Sequence, residues 1–197
     1  MSAVTFELPP RWYWWDPDDP EAATARDLDA RIAQRPAVAP ARHILLAVLL
    51  RLWDDAADEQ AIAAGALAEP APDGIVLATL VAMAAERTHP RDEDREIAAV
   101  LELLRTDSPF DVRPREVAVV DLPAGRAVRL KRVARTDTAG SGESEGVVGM
   151  VQHWVPLRDE EALLVLAGST PCLVAADELE TVFDSVARSV TIEPGVV

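Results

Sequence analysis

EVAVVDLPAGRAVRLKRVAR, residues 116–135, is the stretch on which the fold turns. Val117–Asp121 and Ala127–Ala134 have the side-chain pattern of half-buried strands, and Pro123-Ala124-Gly125 between them is turn chemistry. The pair therefore predicts an antiparallel hairpin. On its second strand Arg129 and Lys131 share one face, while Val128 and Leu130 share the other. Working outward, Thr136 to Gly146 is rich in Gly, Ser, Asp and Glu and reads as a hairpin loop. Two further strands, Val147–Leu157 and Ala162–Ser169, follow around Arg158-Asp159-Glu160-Glu161. A final helix carries Leu179, Val182, Phe183 and Val186 on one stripe. Four strands joined by short connections and closed by a helix predict an antiparallel meander with the C-terminal helix packed across it.

Upstream, Val4 to Leu8 alternates as a strand does, and Pro9-Pro10 stops it. Asp19-Pro20-Glu21 offers a cap, a first-turn proline and an acid, which start a helix running to about Gln34. Its apolar face, Ala25, Leu28 and Ile32, is thin, which suits a surface helix. Residues 41–57 repeat Ile44, Leu45, Val48, Leu49, Leu52 and Trp53 at helical spacing and predict the central helix. Ala61–Glu69 and Ile75–Glu86 flank the turn signal Pro70 to Gly74 and read as a hairpin; a helix over Ile75–Glu86, favoured by Ala82, Met83, Ala84 and Ala85, is the second reading. Asp92 opens a helix in which Ile97, Val100, Leu101 and Leu104 form an amphipathic stripe. The expectation is an α+β fold with helices near 19–35, 41–57, 92–105 and 175–189, packed on one face of an antiparallel sheet, with the last helix across it. No repeat or composition break divides residues 1–197, so one domain is expected.

A chain of 197 residues with 49% hydrophobic and 27% charged residues can bury an ordinary core without staples. Cys172 is the single cysteine, so no intrachain disulfide forms, and three histidines are too few and dispersed for a Cys/His zinc site. The N-terminus has no basic and apolar leader, and the run Ile44 to Leu50 is far shorter than the roughly 20 residues a spanning helix needs. A cytoplasmic setting is expected. The formal charge of −15 argues against nucleic acid and anionic membrane as partners. Residues 113–135 are the exception, with seven basic and two acidic groups.

Phe6-Glu7-Leu8-Pro9-Pro10 with Trp12 and Trp14, the run Val119 to Arg129, and Val151-Gln152-His153-Trp154-Val155-Pro156 through Ser169-Thr170-Pro171 to Phe183-Asp184 together resemble an uncharacterised protein family of high-GC Gram-positive bacteria. The order of a strand ending in Leu-Pro, a tryptophan, an antiparallel sheet and a C-terminal helix is also similar to the PsbP-like fold of photosystem and Ran-binding proteins. The resemblance implies non-enzymatic binding by analogy and brings no catalytic residue with it.

Four groups of residues invite a functional reading. Trp12, Tyr13, Trp14 and Trp15 are consecutive aromatics that cannot all enter one core from an extended segment, so an exposed ring is expected as an interaction anchor, against the plainer reading that they close the sheet. Arg126, Arg129, Lys131 and Arg132, with Arg113, Arg115 and Arg135, form a cationic stripe for an acidic partner or a phosphate, unless acids of the same chain, such as Glu143 and Glu145, consume it. His153 and Cys172 would serve a thiol enzyme if the strand ends met, but no cation or Gly-rich turn beside Cys172 stabilises a thiolate. Asp54, Asp55, Asp58 and Glu59, and Asp92, Glu93, Asp94 and Glu96, are acid clusters that read as solvated helix faces and lack a calcium loop. No phosphate loop, nucleophile elbow or dinucleotide fingerprint occurs, and no cofactor is expected. The leading expectation is a non-enzymatic protein-interaction module binding a protein partner or a second copy. The alternatives are a binder of a small apolar or anionic ligand between helix 41–57 and the sheet, with Arg129 and Arg132 at the mouth, and a thiol/histidine-dependent enzyme.

Overall fold

The computed structural model describes residues 3–9, 11–15, 25–35, 38, 41–72, 74–90, 92–136, 146–157 and 161–193. The elements run β1 (Ala3–Thr5), β2 (Tyr13–Trp15), α1 (Ala25–Ala33), α2 (Arg42–Asp58), β3 (Ala63–Ala71), β4 (Gly74–Glu86), α3 (Glu93–Arg105), β5 (Glu116–Leu122), β6 (Gly125–Thr136), β7 (Gly146–Pro156), β8 (Ala162–Thr170), α4 (Ala176–Arg188) and β9 (Thr191–Glu193). The large sheet has the order β2-β3-β4-β8-β7-β6-β5, and every neighbouring pair is antiparallel. The expected meander β5 to β8 is present, and its last strand docks on β4. That docking leaves β5 at one edge and β2 at the other. The first strand is shorter than expected and pairs with β9 in a separate ribbon. The helix-opening residues Asp19-Pro20-Glu21, the loop with Glu143 and Glu145, and Arg158-Asp159-Glu160 lie outside the described residues.

β4 is a strand throughout, in spite of Ala82, Met83, Ala84 and Ala85. It is held between β3 and β8, and two ladders outweigh a local preference for helix that is a few tenths of a kcal/mol per residue. Alternation along the strands divides the core between two faces. On one face α1 and α2 cover β2, β3 and β4, where Leu28, Ile32, Leu45, Leu49 and Trp53 pack against Ala64, Ala66 and Ala68. On the same face α3 places Ile97, Val100 and Leu104 over Val128 and Leu130. Asp92 caps α3 by accepting from Arg95 N at 3.0 Å. α4 crosses the opposite face, with Leu179, Phe183 and Val186 against Leu80 and Val151.

The strands carry small residues where the layers come close. A Cβ on Gly168 of β8 would stand 2.5 Å from the Phe183 ring of α4, so only glycine admits the helix at this height. In α2 the buried line is Leu45, Leu49, Trp53 and Ala56, whereas Ile44 and Val48, expected in the core stripe, are exposed. The helix forms an outer layer and meets the protein along one flank.

Candidate functional site

The aromatic segment divides itself between the two faces. Trp15 lies opposite Ala64 and Tyr13 opposite Ala66, facing α1 and α2, while Trp14 lies opposite Gly65 and faces the α4 side with Trp12. Gly65 makes room for these rings: a Cβ there would be 2.8 Å from Trp14 Cε3 and 3.2 Å from Trp12 Cε3. Tyr13 sits beneath the guanidinium groups of Arg31 and Arg35, 5.5 and 4.9 Å from its ring centre. Trp12 meets Phe183 edge to face. Trp12, Tyr13 and Trp15 are thus core residues, because helices on both faces give alternate rings two cores to enter. Trp14, against Phe6, is the ring left half-buried.

The cationic stripe meets α4. Asp177, Glu180 and Asp184 follow one another at helical spacing along the flank of α4 that overlies β6. Arg129 Nε donates to Asp184 Oδ1 at 2.8 Å and its Nη2 reaches Glu180, while Lys131 Nζ lies 2.6 Å from Glu180 Oε2 and 3.3 Å from Asp177 Oδ1. Burial disfavours the charge on Arg129, but Asp184 and Glu180 outweigh it and hold the guanidinium more firmly protonated; the hydrogen bond to Glu180 does the same for Lys131. His153, 2% exposed, lies 3.0 Å from Asp184 Oδ1. Burial pushes its pKa down to about 4, against the pull of Asp184 and with the help of Arg129. The ring is therefore neutral at pH 7, and its Nε2–H donates to the carboxylate.

Arg126, Arg115 and Arg132 are also engaged. Arg126 pairs with Asp94 of α3, and Arg115 with Asp111. Arg115 Nη1 also donates to Leu104 O at 2.9 Å, which caps the end of α3. Arg132 Nη1 lies 3.9 Å from Asp111 Oδ1. Acids of α3, α4 and the 111 turn thus stand against Arg126, Arg129, Lys131 and Arg132.

The residues named for the small-ligand site do not come together. Arg129 and Arg132 sit on opposite faces of β6, and β6 is four strands, roughly 19 Å, from β3, on which α2 packs. Between α2 and the sheet the space is filled by apolar side chains. Cys172 and His153 do not meet either. His153 is opposite Leu166, and Thr170, two residues before Cys172, is already roughly 13 Å further along β8. The Cys172 thiol points at Ile75 O, 3.7 Å away. Of the acid clusters, Asp54, Asp55, Asp58 and Glu59 are exposed, but Glu96 is buried and accepts from the Thr88 and His89 amides, pinning that turn to α3. No group of His, Cys, Asp and Glu among the described residues has metal-holding geometry, and no helix among them is long and apolar enough to cross a membrane.

Besides Ile44 and Val48 on α2, Leu103 on α3 and Leu173 and Val174 before α4, exposed apolar side chains lie along the β5 edge. Among the described residues β5 pairs with β6 alone. Beyond its start the same margin continues through Asp111, bridged to Ala134, with Val112 N donating to Val133 O and Arg135 N to Phe110 O, each 2.8 Å. Phe110, Val112 and Val119 are 45%, 47% and 41% exposed. α3 runs antiparallel to β5 above it: Asp94 near its start contacts Arg126 at the hairpin end, and Leu104 at its close meets Arg115 at the opposite end. Leu101 packs in one cluster with Val117 and Asp94 pairs with Arg126, so by helical spacing the flank with Asp94, Ala98, Leu101 and Arg105 lies toward this margin.

No protein-family model matches the chain and no curated protein matches it, so neither comparison supports the resemblance to the high-GC Gram-positive family or to the PsbP-like fold. Among solved structures the chain is similar to the crystal structure of LpqN, involved in cell envelope biogenesis of Mycobacterium tuberculosis. The two are 10% identical over 98% of this chain and 85% of that one, with a TM-score of 0.49. That likeness is too distant to bring a family or a function to this chain.

Proposed function

We propose that this chain is a non-enzymatic protein-interaction module, a single cytoplasmic domain whose docking element is the β5 edge. One observation carries the reading: Phe110, Val112 and Val119 stand exposed along a sheet edge whose outward side pairs with no strand among the described residues, a feature that folded proteins otherwise shorten, charge or cover. Strand addition to such an edge gains main-chain hydrogen bonds and buries the alternate side chains. The interior speaks for the same reading, because His153 is committed to Asp184 and Cys172 stands apart from it. Within the aromatic segment, Trp14 is the ring that can add contact area.

The test compares proteins that co-purify with the chain and with a Val117→Lys/Val119→Lys variant, with Ile44→Lys on exposed α2 as control. The reading expects partners retained by the chain and by Ile44→Lys, and lost by the edge variant. Retention by all three, or a turnover of any substrate that depends on His153 or Cys172, would contradict it.

A further inference from the structure

We propose that the β5 edge pairs with the β5 edge of a second copy, forming a twofold dimer with one continuous sheet and the two α3 helices side by side above the seam. The inference rests on the interaction reading above and names its partner.

The backbone determines how two such edges can meet. Leu122 faces Gly125 across the two-residue turn Pro123-Ala124, and such a flanking pair exchanges hydrogen bonds. Even-numbered residues of β5 therefore turn their amides to β6, as Val112 does further along the margin, where Phe110 O accepts from Arg135 N. Val117, Val119 and Asp121 turn theirs outward. Antiparallel pairing with Val119 on the axis uses all three: Val119 faces Val119 of the other copy, and Val117 faces Asp121. On the other face Glu116 meets Leu122 and Ala118 meets Val120. No acid faces an acid, and no proline interrupts the ladder.

The helix above the seam is self-complementary in the same sense. α3 is antiparallel to β5 and lies over β6, so the twofold axis brings the start of one α3 to the level of the end of the other, roughly 14 Å away across the seam. The flank that faces the margin has Asp94 at the start, Ala98 and Leu101 in the middle and Arg105 at the end. The axis sets Asp94 of each copy opposite Arg105 of the other, and Ala98 opposite Leu101. Arg105 has no ion-pair partner among the described residues.

Closure favours a second copy. Twofold pairing consumes the seven-residue β5 edge of both chains and leaves at the outer margins β2, which is three residues long.

Sedimentation equilibrium from about 0.1 to 100 µM tests this, together with Val119→Lys, Arg105→Glu and a Val119→Cys/Cys172→Ser variant. The chain should sediment at twice its own mass. Val119→Lys sets two like charges on the axis and should weaken the dimer by at least about 100-fold, while an exposed edge lysine leaves the monomer folded by circular dichroism. Arg105→Glu faces Asp94 of the other copy with a like charge and should weaken it by about 5-fold or more. The cysteine on the axis should form a disulfide-linked dimer under mild oxidation, whereas Ile44→Cys/Cys172→Ser should not. A monomer at 100 µM, or a dimer indifferent to Val119→Lys, overturns the proposal. If the chain is monomeric but retains another protein through β5, the dimer is wrong and the interaction reading stands; if nothing depends on β5, both are wrong.

Discussion

Replacing Gly168 by alanine should dislodge α4, and the structure allows the size of the effect to be worked out. The added Cβ would lie 2.5 Å from Phe183 Cγ and Cδ1 and 2.7 Å from Cδ2, whereas carbon atoms in contact settle at about 3.5–4.0 Å. A separation of about 1 Å must be found. β8 cannot yield it, since Gly168 is paired with Leu80 on one side and Val151 on the other. Phe183 cannot yield freely, because it is 3% exposed and packs against Trp12. The helix must lift, and its Asp184 and Glu180 then pull away from Arg129 and Lys131. Overpacking of this kind costs about 2–3 kcal/mol, which for a chain of this length lowers Tm by about 4–12 °C. Thermal unfolding followed by circular dichroism reads the shift. Phe183→Leu in the same chain should cancel part of it, so that the double variant is more stable than the two single losses added together. An alanine variant within about 0.5 kcal/mol of the parent would refute the close approach of helix and strand.

Gly65→Ala should be milder, because the Cβ 2.8 Å from Trp14 strikes a half-buried ring that can swing outward; a loss of about 1 kcal/mol with a red-shifted tryptophan emission is expected, and an unchanged spectrum would speak against the packing. Stability should also fall as pH drops. His153 titrates near 6.5 when unfolded and about 4 when folded, so the unfolded chain binds the extra proton between those values; the contribution is whole above pH 6.5 and declines by about 3 kcal/mol down to pH 4. His153→Gln, which keeps a donor for Asp184, should flatten that part of the profile, and a slope unchanged by the substitution would remove His153 as its cause.

Much of this fold is written in local periodicity. The β5–β6 hairpin follows from alternation and a Pro-Ala-Gly turn, and the α3 and α4 stripes from apolar residues three and four apart. β3 and β4 are less legible because alanine carries little strand signal, and long-range ladders on both sides of β4 decide it. α2 presents two adjacent apolar lines, and periodicity does not say that Leu45, Leu49 and Trp53 rather than Ile44 and Val48 meet the protein. The partners of Arg129 and Lys131 lie about fifty residues away; an acid line at 177, 180 and 184 opposite a strand with alternate cations was the available signal. The open edge could not be read from β5 itself, because β5 is an edge only because β8 pairs with β4 and not with β5.

Residue-resolved amide hydrogen exchange in β5, measured as the chain is diluted, tests most directly whether this edge is a docking element. The Ala118 and Val120 amides, bonded to β6, should be protected at every concentration. The Val117, Val119 and Asp121 amides should exchange freely in dilute solution and become protected as the chain is concentrated, in step with dimer formed. Equal protection of all five at high dilution, or odd-numbered amides that stay open at every concentration and with every partner, would contradict the account.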